Sequence, residues 1–530
     1  MRGADLLLRS LAESGVEICF ANPGTSEMHL VAALDAAPSI RPVLTLHENV
    51  ASGAADGWGR MTGRPASTLL HLGPGLANAL SNLHNAKRAA TPIVNIVGEH
   101  ASYHVANDPP LGSDIAALAR TVSAWVQTVP TARAAGDSAR AAVAAALGPP
   151  GAIATLIVPS DAAWNEVVEE ERGVDLRGTA TEAMAEAQRR APPGGAVDAA
   201  RVDGVARALA TGEPTMLLLG GRAMAHGAVE LAARVAAHTG AQLCCTSFTA
   251  VSHRGAGSVA VERLPYFPEA VAARLAAVRH LVLVDAPPPV AFFAYPGMST
   301  VLLPASCDVQ SLSDGADDVS AALDALVQAT GARDAEPSRV ARAIPPAASG
   351  PITSAAFAQT LAAVLPDGAI VCDEAITNRF PALVATAGAR PHDWCCVTGG
   401  SLGTGLPMSF GAALAAPGRR VINLQADGSA MYTPQALWSL AREGVDVTTV
   451  ILANRRYRIL DFELQRLGLT SVARGRPLTD LTNPSINFVQ LAESLGVPAE
   501  QVDSTEALAR AMQRSFAEPG PRLIVAMMVD

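Results

Sequence analysis

Two side chains stand out for what they could hold. Asp427 closes the apolar run Arg420–Gln425 in Leu424-Gln425-Ala426-Asp427-Gly428-Ser429, and Asn454 follows Thr448–Ala453, 27 positions later. Strand, helix and strand consume about that many residues, so both side chains are expected to converge at one sheet edge. A carboxylate, an amide oxygen and a nearby backbone carbonyl are hard oxygen donors. They suit Mg²⁺, which takes few protein ligands and leaves room for phosphate oxygens. Gly428 and Ser429 open the intervening helix, whose N-terminus favours a phosphate. Taken singly, the same residues read as an N-cap Asp and a loop Asn.

A second group lies near the N-terminus. His71 ends the run Ser67–His71, and an imidazole there suits proton transfer near neutral pH. A strand-end His by itself also reads as a satisfied structural residue. Glu48, in Leu46-His47-Glu48-Asn49-Val50, stands where a helix begins, and the helix dipole alone favours an acid there. His47-Glu48 does not begin a zinc HExxH motif, because position 51 is Ala.

The elements that must position these residues follow from periodicity. The runs Val16–Phe20, Val43–Leu46, Ser67–His71, Ile93–Val97 and Ala152–Val158 read as buried strands, with helical patterns such as Glu27–Leu34 and Asn49–Met61 between them. The alternation resumes at Thr215–Leu219, Gln242–Thr246, His280–Val284 and Thr300–Leu303. It resumes again at Ala369–Cys372, Arg420–Gln425, Thr448–Ala453 and Arg522–Met528. Strands alternating with helices imply parallel sheets covered on both faces. The expected fold class is α/β, with three doubly wound parallel-sheet domains. Their expected bounds are 1–165, 198–332 and 352–530, joined by Pro/Gly/Ala-rich linkers at 166–197 and 333–351.

Composition narrows the classes. The 530 residues are 49% apolar, 17% charged and 4% aromatic, which excludes a disordered chain and a coiled coil. A net charge of −10 argues against a nucleic-acid binder. Lys87 is the only lysine, which argues against Schiff-base chemistry. Seven cysteines, an odd number without CxxC spacing, read as small buried hydrophobes in a reducing compartment. No signal-peptide pattern and no membrane-spanning apolar run is present. The expectation is a cytoplasmic protein.

The Asp427-Gly428 to Asn454 spacing resembles the metal motif of the thiamine diphosphate (ThDP) enzymes of the decarboxylase and acetolactate synthase group. In that group Gly usually precedes the Asp and a second Asn precedes the ligand Asn; here Ala426 and Ala453 stand there. The resemblance covers the three blocks in order, as pyrimidine-binding, middle and diphosphate-binding domains. It implies ThDP and Mg²⁺ as cofactors, with the carbonyl of Arg456 as third protein ligand and Tyr457 beside the cofactor. Glu48 would hydrogen-bond the aminopyrimidine and help form the reactive ylide. Pro23 and Gly24, in Asn22-Pro23-Gly24-Thr25-Ser26-Glu27, would approach the pyrimidine. In Gly399-Gly400-Ser401-Leu402-Gly403, Leu402 would wedge between the cofactor rings and the Gly400 carbonyl would receive the 4′-amino group.

The same resemblance implies ylide attack on a small 2-oxo acid, loss of CO₂, and then protonation to an aldehyde or C–C ligation. This is a C–C lyase or transferase. His71 occupies the place of a proton-relaying His in benzoylformate decarboxylase, and Thr25 that of its active-site Ser. The decarboxylase's second His has no counterpart; Phe292 and Phe293 would line the acyl pocket instead. Arg458 and Ile459 would reshape that pocket, with Arg455, Arg456 and Arg458 attracting an anion. Gly73-Pro74-Gly75 looks more like acetolactate synthase, so synthesis of acetolactate from two pyruvates is the alternative reaction. A catalytically silent ThDP-binding homologue is a third reading. No feature demands FAD, and FAD is not expected. The family layout places active sites between subunits of a homodimer or homotetramer. No nucleic-acid or membrane partner is expected.

Overall fold

The computed structural model describes residues 1–167, 197–469 and 474–529. Of the linker expected from 166 to 197, residues 168–196 lie outside the described residues. Among the described residues, three sheets of α/β type are built from 18 strands. The first holds β1 (Ile18–Asn22), β2 (Arg41–Leu44), β3 (Ala66–Leu70), β4 (Ile93–Glu99), β5 (Trp125–Thr128) and β6 (Ile153–Pro159). Its order is β2-β1-β3-β4-β6-β5, all parallel. These strands are apolar almost throughout because helices cover both faces.

The middle chain supplies β7 (Thr215–Leu219), β8 (Gln242–Cys245), β9 (Val251–Arg254), β10 (Glu262–Arg263), β11 (His280–Val284) and β12 (Asp308–Ser313). The middle sheet is β10-β8-β7-β11-β12. The strand expected at Thr300–Leu303 does not form. Val301 makes one isolated antiparallel bridge to Val290 and is exposed, and Asp308–Ser313 takes the place beside β11. That run is apolar but short, and Pro304 follows it at once, so it cannot extend into a ladder.

The last sheet uses β13 (Ala369–Glu374), β14 (His392–Cys396), β15 (Val421–Ala426), β16 (Val447–Ala453), β17 (Ala499–Val502) and β18 (Arg522–Met527). Its order is β17-β18-β16-β15-β13-β14-β9. The parallel expectation needs one correction here: β9 reaches across from the middle chain and pairs antiparallel with β14. The link is polar as well, since His253 and Arg419 both bond to Asp393.

The N- and C-terminal domains touch through the helices Glu48–Thr62 and Gly405–Ala415. The first is buried along nearly its whole length. A Cβ added to Gly411 would lie 1.9 Å from the Ala54 carbonyl oxygen, and one added to Gly57 would lie 2.1 Å from that of Met408. The helices therefore meet backbone to backbone. Arg60 and Asp56 form a fully buried ion pair in this joint. Arg60 also donates to the carbonyl of Cys396 (2.6 Å) and to the hydroxyl of Thr398 (3.1 Å). All seven cysteines are free, and only Cys307 is partly exposed. Among the described residues no helix is long and apolar enough to cross a membrane.

Candidate active site

In the first sheet, β1 has β2 on one side and β3 on the other, so the chain leaves in opposite directions at the β1/β3 boundary. Such a switch point opens a crevice at the carboxyl ends of the strands. Asn22 pairs with Leu70 at those ends, so Pro23 and His71 emerge side by side. The His71 Nδ1 lies 2.8 Å from Glu27 Oε2 and 3.2 Å from Ser26 Oγ. Glu27 is fully buried, and it also accepts from the N–H of Gly24 (2.9 Å) and the hydroxyl of Ser26 (2.8 Å). A Cβ on Gly98 would strike the Glu27 carboxylate, so the end of β4 is shaped to admit it. A carboxylate facing Nδ1 fixes the proton there and leaves Nε2 as the basic nitrogen.

Glu27 carries no role in the sequence reading, although it stands inside the motif quoted there. The expected helix Glu27–Leu34 begins instead with a 3₁₀ turn, Thr25–Glu27, that folds the Glu27 side chain back under His71. Thr25 is exposed on that turn, and among the described residues the contacts to His71 come from Ser26 and Glu27. Glu48 opens its helix with 7% exposure and accepts from Asn78 Nδ2 (3.0 Å). His47 caps the same helix by accepting from the N–H of Asn49.

The C-terminal sheet repeats the device. β13 lies between β14 and β15, and Glu374 pairs with Gln425 at the strand ends. One strand further, Ala426 pairs with Leu452, which brings Asp427 and Asn454 to one edge as their spacing predicts. The Asp427 Oδ2 accepts from the N–H of Arg455 (2.5 Å) and its Oδ1 from that of Gly428 (2.8 Å). Burial holds the Asp427 carboxyl above the usual carboxylate range against these donors, a direction that a bound cation would reverse. Asn454 Oδ1 accepts from the N–H of Arg456 (3.1 Å). Between Asn454 and Arg456, Arg455 has φ +60°, a left-handed conformation costing a non-glycine residue roughly 1 kcal/mol.

The intervening helix differs from the expected one. It is split into Asp427–Ala430 and Ala436–Glu443, with Pro434 in the break. The Ser429 hydroxyl turns inward to Gln425 Oε1 (2.9 Å) and the Ala426 carbonyl (3.0 Å), and the Tyr457 ring lies over Gly428.

A cavity of about 1060 Å³ opens at this edge. Gly400, Leu402, Asp427, Gly428, Ser429, Asn454, Arg456, Tyr457, Arg458 and Ile459 line it on the C-terminal side. Phe292 and Phe293 line it from the middle domain. Phe292 stacks on Tyr266 (5.2 Å between centroids) and meets Phe248 edge-on (5.0 Å). The Arg458 guanidinium lies 5.4 Å from the Phe462 ring centroid. Glu48, His71, Thr25, Pro23 and Gly24 are not among the residues lining this cavity. The chain therefore holds two half-sites that it does not itself bring together.

Among the described residues no cluster of three His, Cys, Asp or Glu side chains is placed to hold a metal. The donor set at the cavity is one carboxylate, one amide oxygen and backbone carbonyls, which fits a hard cation that also takes phosphate oxygens. The cavity, with the unpartnered peptide of Gly400 at φ +73° and Leu402 on its wall, has the room and shape for a two-ring diphosphate cofactor.

Glu374 was missed from sequence. It is fully buried and accepts from the N–H groups of Gly403 (2.6 Å) and Gly405 (2.6 Å) and from Gln425 Nε2 (3.1 Å). Burial pushes its carboxyl up to about 7, opposed by these three donors.

Residues 1–118 match the N-terminal TPP binding domain of thiamine pyrophosphate enzymes, and residues 382–526 match the C-terminal TPP binding domain. The chain belongs to the thiamine pyrophosphate (ThDP) enzyme family, among its decarboxylases and acetolactate synthase-like members. It is 49% identical over 529 residues to a Mycobacterium tuberculosis protein provisionally named as acetolactate synthase large subunit IlvX, covering 99% of this chain and 98% of that one. Benzoylformate decarboxylase of Pseudomonas aeruginosa is 27% identical over 97% of this chain and 96% of its own. The fold is also that of a Rhodococcus jostii RHA1 ThDP-dependent 4-hydroxybenzoylformate decarboxylase. That structure has TM-score 0.85 and 23% identity, and the match covers 100% of this chain and 99% of that one.

Proposed function

We propose that the protein is a ThDP- and Mg²⁺-dependent 2-oxo acid decarboxylase or carboligase of the benzoylformate decarboxylase type. The observation that carries this reading is the cavity in which the oxygen donors of Asp427 and Asn454 face the aromatic wall of Phe248, Tyr266 and Phe292. Asp427, Asn454 and the Arg456 carbonyl would hold the metal, and Gly428, Ser429 and Tyr457 would hold the diphosphate side. When bound, the cofactor would supply the nucleophilic and electron-accepting chemistry that decarboxylation of a 2-oxo acid requires. Glu48 holds and returns a proton at the aminopyrimidine, where Pro23 and Gly24 approach the ring. His71 moves a proton through Nε2 while Glu27 holds Nδ1, and Thr25 faces the substrate from the neighbouring turn. Phe292, Phe293, Arg458 and Ile459 shape the acyl pocket.

The separation of the two half-sites within one chain supports a homodimer or homotetramer in which Glu48 of one subunit meets Asp427 of another. The reading does not include FAD. We place the protein in the cytoplasm.

The test is a panel of 2-oxo acids with ThDP and Mg²⁺, scored for both CO₂ release and C–C coupling. Release from aromatic 2-oxo acids is expected; no release from any member of the panel would sink the reading and leave a silent cofactor-binding homologue. A second reading, acetolactate synthesis, is favoured by the name of the 49% identical relative. Incubation with pyruvate, acidification and a colour test for acetoin separates the two.

A further inference from the structure

The loop Thr398–Gly403 carries Gly400 and Leu402, the positions that the cofactor reading sets against the thiamine rings. Its shape is imposed largely from another domain, by one turn of the helix Leu72–Ala89. Asn85 is fully buried, and both halves of its amide are used. Its Oδ1 accepts from the N–H of Gly399 (3.1 Å) and of Ser401 (3.2 Å), and its Nδ2 donates to the Ser401 carbonyl (2.8 Å). The Asn85 carbonyl accepts from the Thr398 hydroxyl (2.7 Å). Asn82 Nδ2 donates to the Gly403 carbonyl (3.1 Å), and His84 Nε2 lies 3.2 Å from the Gly399 carbonyl.

This grip takes hold on either side of Gly400 and leaves Gly400 itself alone. Among the described residues neither its N–H nor its carbonyl has a protein partner, and its backbone is left-handed with no atom near the place of a Cβ. A peptide with unused donor and acceptor, clamped at both neighbours and facing a cavity, is a preorganised contact for a ligand.

We propose that Asn85 is the positioning residue of the cofactor loop: by holding Gly399 and Ser401 it aims the Gly400 peptide into the cavity. The inference rests on the cofactor reading above. It names a residue of the N-terminal domain that acts on the half-site of the C-terminal domain in the same chain.

The experiment compares full-length wild type, Asn85→Ala, Asn85→Asp and Leu83→Ala. The last truncates a core side chain of the same helix that makes none of the loop's hydrogen bonds. ThDP affinity is measured in Mg²⁺ by calorimetry, the near-ultraviolet circular dichroism of the bound cofactor is recorded, and the apoprotein melting temperature is taken. Asn85→Ala is expected to weaken ThDP binding about ten-fold and to alter the bound spectrum. Leu83→Ala should lower the melting temperature while leaving affinity and spectrum at wild-type values. Asn85→Asp keeps the volume but sets a carboxyl oxygen against the Ser401 carbonyl, so it should show the same spectral change, and the apoprotein melting curve of each variant separates that change from loss of the fold. Wild-type affinity and spectrum in Asn85→Asp would overturn the proposal. So would equal loss of affinity in Leu83→Ala, since affinity would then follow stability. Failure of the wild type to bind ThDP would instead remove the cofactor reading itself.

Discussion

The two half-sites are built on the same device, a crevice where strand order reverses, and they are finished in opposite ways. At the N-terminal one, Glu27, Ser26, Gly24 and His71 satisfy one another in a closed chain of hydrogen bonds, and Glu48 is nearly sealed. At the C-terminal one, a few polar groups and an aromatic wall surround about 1060 Å³ of open space, and the backbone is left-handed at Arg455 and at Ile376, at φ +60° and +52°. A β-branched residue such as Ile376 rarely adopts that conformation. The contrast teaches a division of labour. On the proposed function, groups that move protons need fixed partners and little water, whereas groups that hold a ligand need room; left-handed backbone occurs at both, at Leu72 beside His71 (φ +52°) as at Arg455 and Ile376.

Four perturbations break or sharpen this comparison. The largest effect is expected from Glu48→Gln at the sealed half: decarboxylation should fall by about 10²–10⁴-fold while ThDP still binds. Turnover at the wild-type rate would show that the N-terminal half-site is structural only. Asp427→Ala at the open half should do the reverse. It should abolish the thermal stabilisation by ThDP plus Mg²⁺, seen as identical melting curves with and without them, and leave the apoprotein folded.

Third comes Glu374, whose carboxyl is raised in the folded state from an ordinary 4.5 to about 7. The folded protein then binds more protons than the unfolded one between these values. Stability contributed by this group is full below about 4.5 and is lost as pH rises to 7, on the order of 3 kcal/mol. Denaturant titrations from pH 5 to 7.5 should show that downward slope in wild type and a flatter one in Glu374→Gln; equal slopes would contradict the assignment. The smallest effect is at Arg455. Replacement by Gly removes the left-handed penalty and should hold or raise the apoprotein's stability by up to about 1 kcal/mol, in contrast to the loss normally expected for glycine.

The open half was the more legible of the two in the sequence. A strand-helix-strand crossover has a nearly fixed length, so the 27-position spacing of Asp427 and Asn454 suffices to predict their meeting, even though the helix between them is broken. His71 could be placed because it follows its strand directly, and Glu48 because it opens the helix a few residues after one. Glu27, Glu374 and Asn85 could not, because their roles depend on partners brought together only by the fold. Glu374 meets Gly403 and Gly405 across a loop, and Asn85 meets Ser401 across 316 positions. Strand β14 was also missed, since His392 and Asp393 at its start look solvent-facing. The structure buries them against β9, an edge strand that no local pattern assigns to that sheet.

The joint between the helices Glu48–Thr62 and Gly405–Ala415 has a consequence for how this chain can be recombined. Its two surfaces meet without side chains at Gly57 and Gly411, so there is no soft layer to absorb a mismatch. A terminal domain borrowed from a relative would dock only if it brought a glycine to the same spot. One methyl group on either face would prise apart the domains that carry Glu48 and Asp427. The two ends of the chain are in that sense a matched pair, exchangeable together but not singly.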